Sequence, residues 1–132
     1  MEQHEMAKTI MIVDDELNMR MLLKETLEEL EDKGVELLLA ENGEEAIEFV
    51  KTEKPELVIL DVMIPGVDGF EVCNTIKNEL EMKDVYVLML TANGQEYNKL
   101  KSIDVGADIF MTKPFDPDEI AEKVAKILEI EI

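Results

Sequence analysis

The chain has 132 residues, 46% of them hydrophobic, which is enough for one domain with its own core and too few for two ordinary ones. Its 32 acids against 13 bases give a net charge of −19, a surface that repels nucleic acid and anionic lipid. No apolar run reaches the roughly 18 residues of a membrane span, and the single cysteine, Cys73, excludes an internal disulfide or a cysteine metal cluster.

The N-terminal "MEQHEMAK" lacks the basic and apolar stretches of a signal peptide, so the chain reads as cytoplasmic. Residues 1–7 read as a flexible tail, and residues 8–132 as one domain. The first apolar run, Thr9–Val13, predicts a strand and ends in Asp14-Asp15. Met19, Leu22, Leu23, Leu27 and Leu30 then share one helical face, closed by Gly34. A second strand is expected over Val35–Ala40. Asn42 with Glu45 forms a capping-box pattern ahead of Ala46, Ile47 and Val50.

The third run, Leu57–Leu60, leads straight into Asp61 and a loop containing Pro65, Gly66 and Asp68-Gly69. A carboxylate abutting a buried strand is costly unless something binds it. Val72, Cys73, Ile76 and Leu80 make a third helical stripe, on which Cys73 reads as core. A fourth strand over Val85–Leu90 ends at Thr91. Leu100 and Ile103 mark a short fourth helix. The fifth strand, Asp108–Thr112, ends at Lys113. Asp116 as N-cap and Pro117 at the first helical position open a fifth helix with Ile120, Val124, Ile127 and Leu128 on its face.

Strand and helix alternate five times through short connections. This predicts an α/β fold: a doubly wound, five-stranded parallel sheet with five helices on its two faces, for which the flavodoxin-like strand order 2-1-3-4-5 is taken. Asp14, Asp15, Asp61, Thr91 and Lys113 all fall at carboxyl ends of strands, where open α/β sheets bind ligands. With strands 1 and 3 adjacent, the three acids converge and repel, and a hard divalent cation such as Mg²⁺ resolves the conflict. Three acids, a metal, a lysine and a hydroxyl are the parts for phosphoryl transfer to a carboxylate. Asp61 is the nucleophile, Lys113 and the metal neutralise the phosphoryl oxygens, and Thr91 donates a hydrogen bond.

"IVDDE", "ILDVMIPGVDGFEV", "LTA" and "GADIFMTKPF", in this order over residues 8–128, resemble the receiver domains of response regulators of the CheY type. The resemblance implies a two-component phosphorelay switch rather than an enzyme. Asp61 is then the phosphoacceptor, with Thr91 and Lys113 on the phosphoryl group. Asp15 binds Mg²⁺ directly, Asp14 mainly through water, and the Met63 main-chain carbonyl is a further ligand; Mn²⁺ can substitute. Thr91 and Phe110 form the switch, and the Lys113–Pro114 peptide bond is cis. The phosphoryl donor is a sensor histidine kinase or histidine phosphotransfer protein, and the output is docking of a downstream protein on the face of helix 4, strand 5 and helix 5. Neither nucleic acid nor membrane is a direct partner, and the expected state is a monomer or a weak phosphorylation-dependent dimer. Asn93, Ile109 and Ile130 stand where winged-helix-class receivers carry charges, which counts against their dimer mode, and Ile109 is expected to be exposed near the sheet edge. Met63 and Asn93 flank the approach of hydrolytic water, and neither is a general base, so the phosphoryl group is expected to last minutes or more.

Two other chemistries fit the residues less well. A dehalogenase-type phosphatase needs a second Asp two residues after the nucleophile, where this chain has Met63. A flavin-phosphate loop after strand 1 is disfavoured by the charge of Asp14, Asp15 and Glu16.

Overall fold

The structure, a computed structural model, describes residues 8–92 and 96–130. The expected N-terminal tail, residues 1–7, and Asn93 lie outside the described residues. Five parallel strands form one sheet: β1 (Thr9–Val13), β2 (Glu36–Ala40), β3 (Leu57–Asp61), β4 (Tyr86–Thr91) and β5 (Ile109–Thr112), in the order β2-β1-β3-β4-β5. The central strands are buried on both faces, so their sequences run apolar without alternation.

Period-two geometry divides that apolar material into two cores. Met11, Val13, Val58, Leu60, Val87 and Met89 face α3 (Gly43–Glu53) and α4 (Gly69–Asn74). Ile10, Ile12, Leu57, Ile59, Leu88 and Leu90 face the opposite way, towards α1 (Leu17–Thr26), α2 (Glu28–Asp32) and α6 (Pro117–Leu128). The remaining helix, α5 (Glu96–Asp104), precedes the edge strand β5.

The first helical stripe divides. Leu27 leaves helical geometry (φ −102°, ψ 11°), which separates α1 from α2. One residue earlier, the Thr26 hydroxyl donates to the Leu22 carbonyl at 2.7 Å, a back-bond that bends helices. Leu23, Leu27 and Leu30 stay buried, but Leu22 turns outward. The third stripe also departs from regularity. Beyond Asn74 the helix widens into a π-turn, Thr75–Glu79, with the Leu80 N–H donating to the Thr75 carbonyl at 2.8 Å. In this register Lys77 is buried. Its ammonium reaches Asp108 at 2.7 Å and the Lys83 carbonyl at 3.2 Å.

The caps expected at Asn42 and Asp116 are formed, and Asp68 adds a third. Asn42 accepts from the Glu45 N–H at 2.8 Å, while the Glu45 carboxylate reaches the Glu41 N–H rather than that of Asn42 itself. Asp68 caps α4, and Asp116 caps α6 with Pro117 inside its first turn. Ile109, expected to be exposed, is half-buried, and both Ile109 and Ile130 pack on the core beneath α6.

Candidate functional site

The site lies at the carboxyl ends of β1, β3, β4 and β5. Asp61 is the last residue of β3, not the residue after it, and is paired with Leu90 of β4. The chain then leaves the sheet sharply, and the Val62 N–H bonds the Leu90 carbonyl at 2.9 Å. Gly66 takes φ +76°, a conformation that side chains resist. Gly69 begins α4 directly against the strand end, where an added Cβ would lie 2.4 Å from the Asp61 carbonyl oxygen. The Pro-Gly and Asp-Gly elements thus fold the loop and helix tightly over Asp61.

Carboxylate oxygens of Asp14, Asp15 and Asp61 lie within 4.8 Å of one another. Asp14 and Asp61 are buried and Asp15 is exposed. The Lys113 ammonium bridges two of them, at 3.1 Å from Asp14 Oδ2 and 3.4 Å from Asp61 Oδ2. The other Asp61 oxygen, Oδ1, accepts the Met63 N–H at 3.2 Å. Asp14 Oδ1 accepts the Glu16 N–H at 2.9 Å.

Burial raises the Asp61 carboxyl to about 6. Lys113 opposes that rise, Asp14 reinforces it, and the Met63 N–H opposes it. Burial would lower Lys113, but the charges of Asp61 and Asp14 and the hydrogen bonds to both hold its ammonium above the usual lysine value. Three carboxylates against one ammonium leave a formal charge of −2. The donors are all hard oxygens, and one carboxylate is open to water. This set fits a hard divalent cation that keeps part of its hydration shell.

Thr91 ends β4, one residue beyond Leu90, and is buried. The Lys113 N–H donates to its carbonyl at 2.7 Å, which ties the end of β5 to the end of β4. The Lys113–Pro114 peptide bond is cis. Phe110 is half-buried on β5 and packs on the core beneath α3 and α4. The Met63 side chain projects into solvent at the mouth of the site, 71% exposed. Cys73 lies apart from these groups; it is fully buried, and burial pushes its thiol up to about 12, so it is an inert core residue.

Two features were not foreseen from sequence. Arg20 is buried and donates to the Asp14 carbonyl at 2.7 Å. The Lys77–Asp108 pair is the other. The signal for Arg20 was compositional: it is the chain's single arginine.

A parallel 2-1-3-4-5 sheet with an acidic cluster, a threonine and a lysine at its carboxyl end defines a phosphorylation switch of the receiver type. The model of the response regulator receiver domain matches residues 10–125, and the chain belongs to that family. It is 43% identical over 123 residues to the alkaline phosphatase synthesis transcriptional regulatory protein PhoP of Bacillus subtilis, covering 93% of this chain and 49% of that protein. With the phosphate regulon transcriptional regulatory protein PhoB of Pseudomonas aeruginosa it shares 40% identity, covering 92% of this chain and 52% of that one. The chain therefore spans about half the length of these curated relatives. Among solved structures, a CheY-like response regulator receiver domain protein from Methanospirillum hungatei superposes with a TM-score of 0.83 at 27% identity, over 94% of this chain and 95% of that one. The matched residues thus form a phosphoacceptor domain of two-component signalling, a phosphorylation switch. Among the described residues, no helix is long and apolar enough to cross a membrane.

Proposed function

We propose that Asp61 is the residue that receives the phosphoryl group, within a domain spanning residues 8–132. The donor is a sensor histidine kinase, a histidine phosphotransfer protein or a small acyl phosphate. The observation that carries this reading is the convergence of Asp14, Asp15 and Asp61 within 4.8 Å, with Lys113 bridging two of them.

Asp61 Oδ1 is oriented by the Met63 N–H, and Oδ2 faces Lys113. A carboxylate so held attacks phosphorus in line without first losing conformational freedom, forming an acyl-phosphate O–P bond as the donor's P–N bond to imidazole, or the P–O bond of an acyl phosphate, breaks and the imidazole or carboxylate leaves. Lys113 neutralises charge on the phosphoryl oxygens, and the Thr91 hydroxyl donates to one of them. Asp14, Asp15, Asp61 and the Met63 carbonyl would hold Mg²⁺, Asp14 mainly through water. When bound, Mg²⁺, or Mn²⁺ in its place, supplies the remaining positive charge at the phosphoryl group.

Movement of Thr91 towards the phosphoryl group opens space into which Phe110 turns. This alters the face formed by α5, β5 and α6, on which a downstream protein docks. The chain acts as a monomer or as a weak dimer formed on phosphorylation.

Incubation with acetyl phosphate and Mg²⁺, read by intact mass, tests the reading. One phosphoryl adduct is expected on the wild type, and none on Asp61→Asn or in EDTA. An adduct that persists in Asp61→Asn, or forms equally well in EDTA, contradicts it.

A further inference from the structure

Arg20 stands alone among twelve lysines as the chain's arginine, and its side chain is buried in the second turn of a helix that otherwise turns polar residues outward. A guanidinium is seldom buried without a defined partner. Its partner here is main chain: Nη1 donates to the Asp14 carbonyl oxygen at 2.7 Å, within the range of a charge-assisted bond.

That carbonyl belongs to the same rigid peptide plane as the N–H of Asp15. The other polar atoms of Asp14 are also held. Its N–H donates to the Ala40 carbonyl at 3.2 Å, Oδ1 accepts from the Glu16 N–H and Oδ2 from Lys113. Arg20 completes this set. Asp15 is placed differently. It is exposed and lies past the last paired residue of β1, so the position of its carboxylate depends on the peptide that carries it.

We infer that Arg20 is a positioning residue for the divalent cation, holding the Asp14–Asp15 peptide so that the Asp15 carboxylate stands where it can ligate. The inference rests on the reading of Asp14, Asp15 and Asp61 as a cation site. Its sign is distinctive. On charge alone, a buried guanidinium beside the site repels a cation, so its removal would tighten binding. On positioning, its removal loosens binding. Outer-shell partners of metal ligands are typically worth about 10–100-fold in affinity.

The experiment is calorimetric titration of the full chain with MgCl₂, for the wild type, Arg20→Met and Arg20→Lys. Arg20→Met should weaken Mg²⁺ binding by about tenfold or more. Arg20→Lys, which keeps a donor for the carbonyl, should recover most of that loss. Wild-type or tighter binding in Arg20→Met overturns the inference. Failure of the wild type itself to bind Mg²⁺ overturns the cation site instead, which separates the two claims. Should Arg20→Met fail to fold by circular dichroism, Arg20→Leu, which also lacks a donor for the carbonyl, takes its place under the same criteria. In an Asp15→Asn background the Arg20 substitution should cost less than about twofold, because its route through Asp15 is already gone. An undiminished cost there overturns that route.

Discussion

Asp61 concentrates the cost and the chemistry of this fold in one carboxyl group. Its native value of about 6 lies above the ordinary 3.8, so between those limits the native state holds more protons than the unfolded chain. The stability contribution of Asp61 is therefore most favourable below about pH 4 and falls as pH rises to about 6. Above that, a cost remains in the metal-free protein. Asp61→Asn should accordingly stabilise the metal-free chain near pH 8, with a smaller gain near pH 5; urea titrations at the two pH values check this. At the mouth of the site, the exposed Met63 side chain has no group to orient or deprotonate water. The phosphoryl group is expected to survive for minutes or more, and Met63→Asn to shorten its life, as followed by decay of the adduct mass. The acids, Thr91 and Lys113 were legible in the sequence because polar residues that interrupt apolar runs at strand ends stand out. Arg20 was not, because it bonds a main-chain carbonyl, and no pattern of side chains records that partner.

Elements follow the sequence wherever one period governs them. The five strands and the caps at Asn42 and Asp116 are of this kind. The π-turn at Thr75–Glu79 was hidden because Val72, Cys73, Ile76 and Leu80 keep an ordinary helical spacing through it. What the widened turn adds is the burial of Lys77 against Asp108, which also accepts the Val87 N–H at 2.8 Å. The pair is asymmetric: Lys77 is almost wholly enclosed and Asp108 is partly wet. Asp108→Asn strands a buried ammonium and should cost about 2–4 kcal/mol, whereas Lys77→Met leaves Asp108 with water and the Val87 N–H and should cost less. Chemical denaturation of the two variants decides the order. At the start of α4, Gly69→Ala would push a methyl group to 2.4 Å from the Asp61 carbonyl. A loss of about 1–3 kcal/mol is expected, together with slower phosphorylation, because the helix cannot retreat without moving the loop that carries Met63.

The whole molecule carries a charge of −19 and gathers three acids at one end of its sheet, so cations act on it at two levels. Monovalent salt should raise the melting temperature modestly by screening the general repulsion. Millimolar MgCl₂ should raise it further than NaCl of equal ionic strength, because a ligand of the native state alone stabilises by mass action. That extra rise should vanish in Asp15→Ala; a differential scanning calorimetry series checks both. The measurement closest to the central claim locates the phosphoryl group itself. The protein is phosphorylated with acetyl phosphate and Mg²⁺ and treated with borohydride, which reduces an aspartyl phosphate to homoserine, and its peptides are then sequenced by mass spectrometry. Homoserine at position 61 and at no other acid is the predicted result. Homoserine at position 14 or 15, or none in a protein that has gained the phosphoryl mass, would contradict the account.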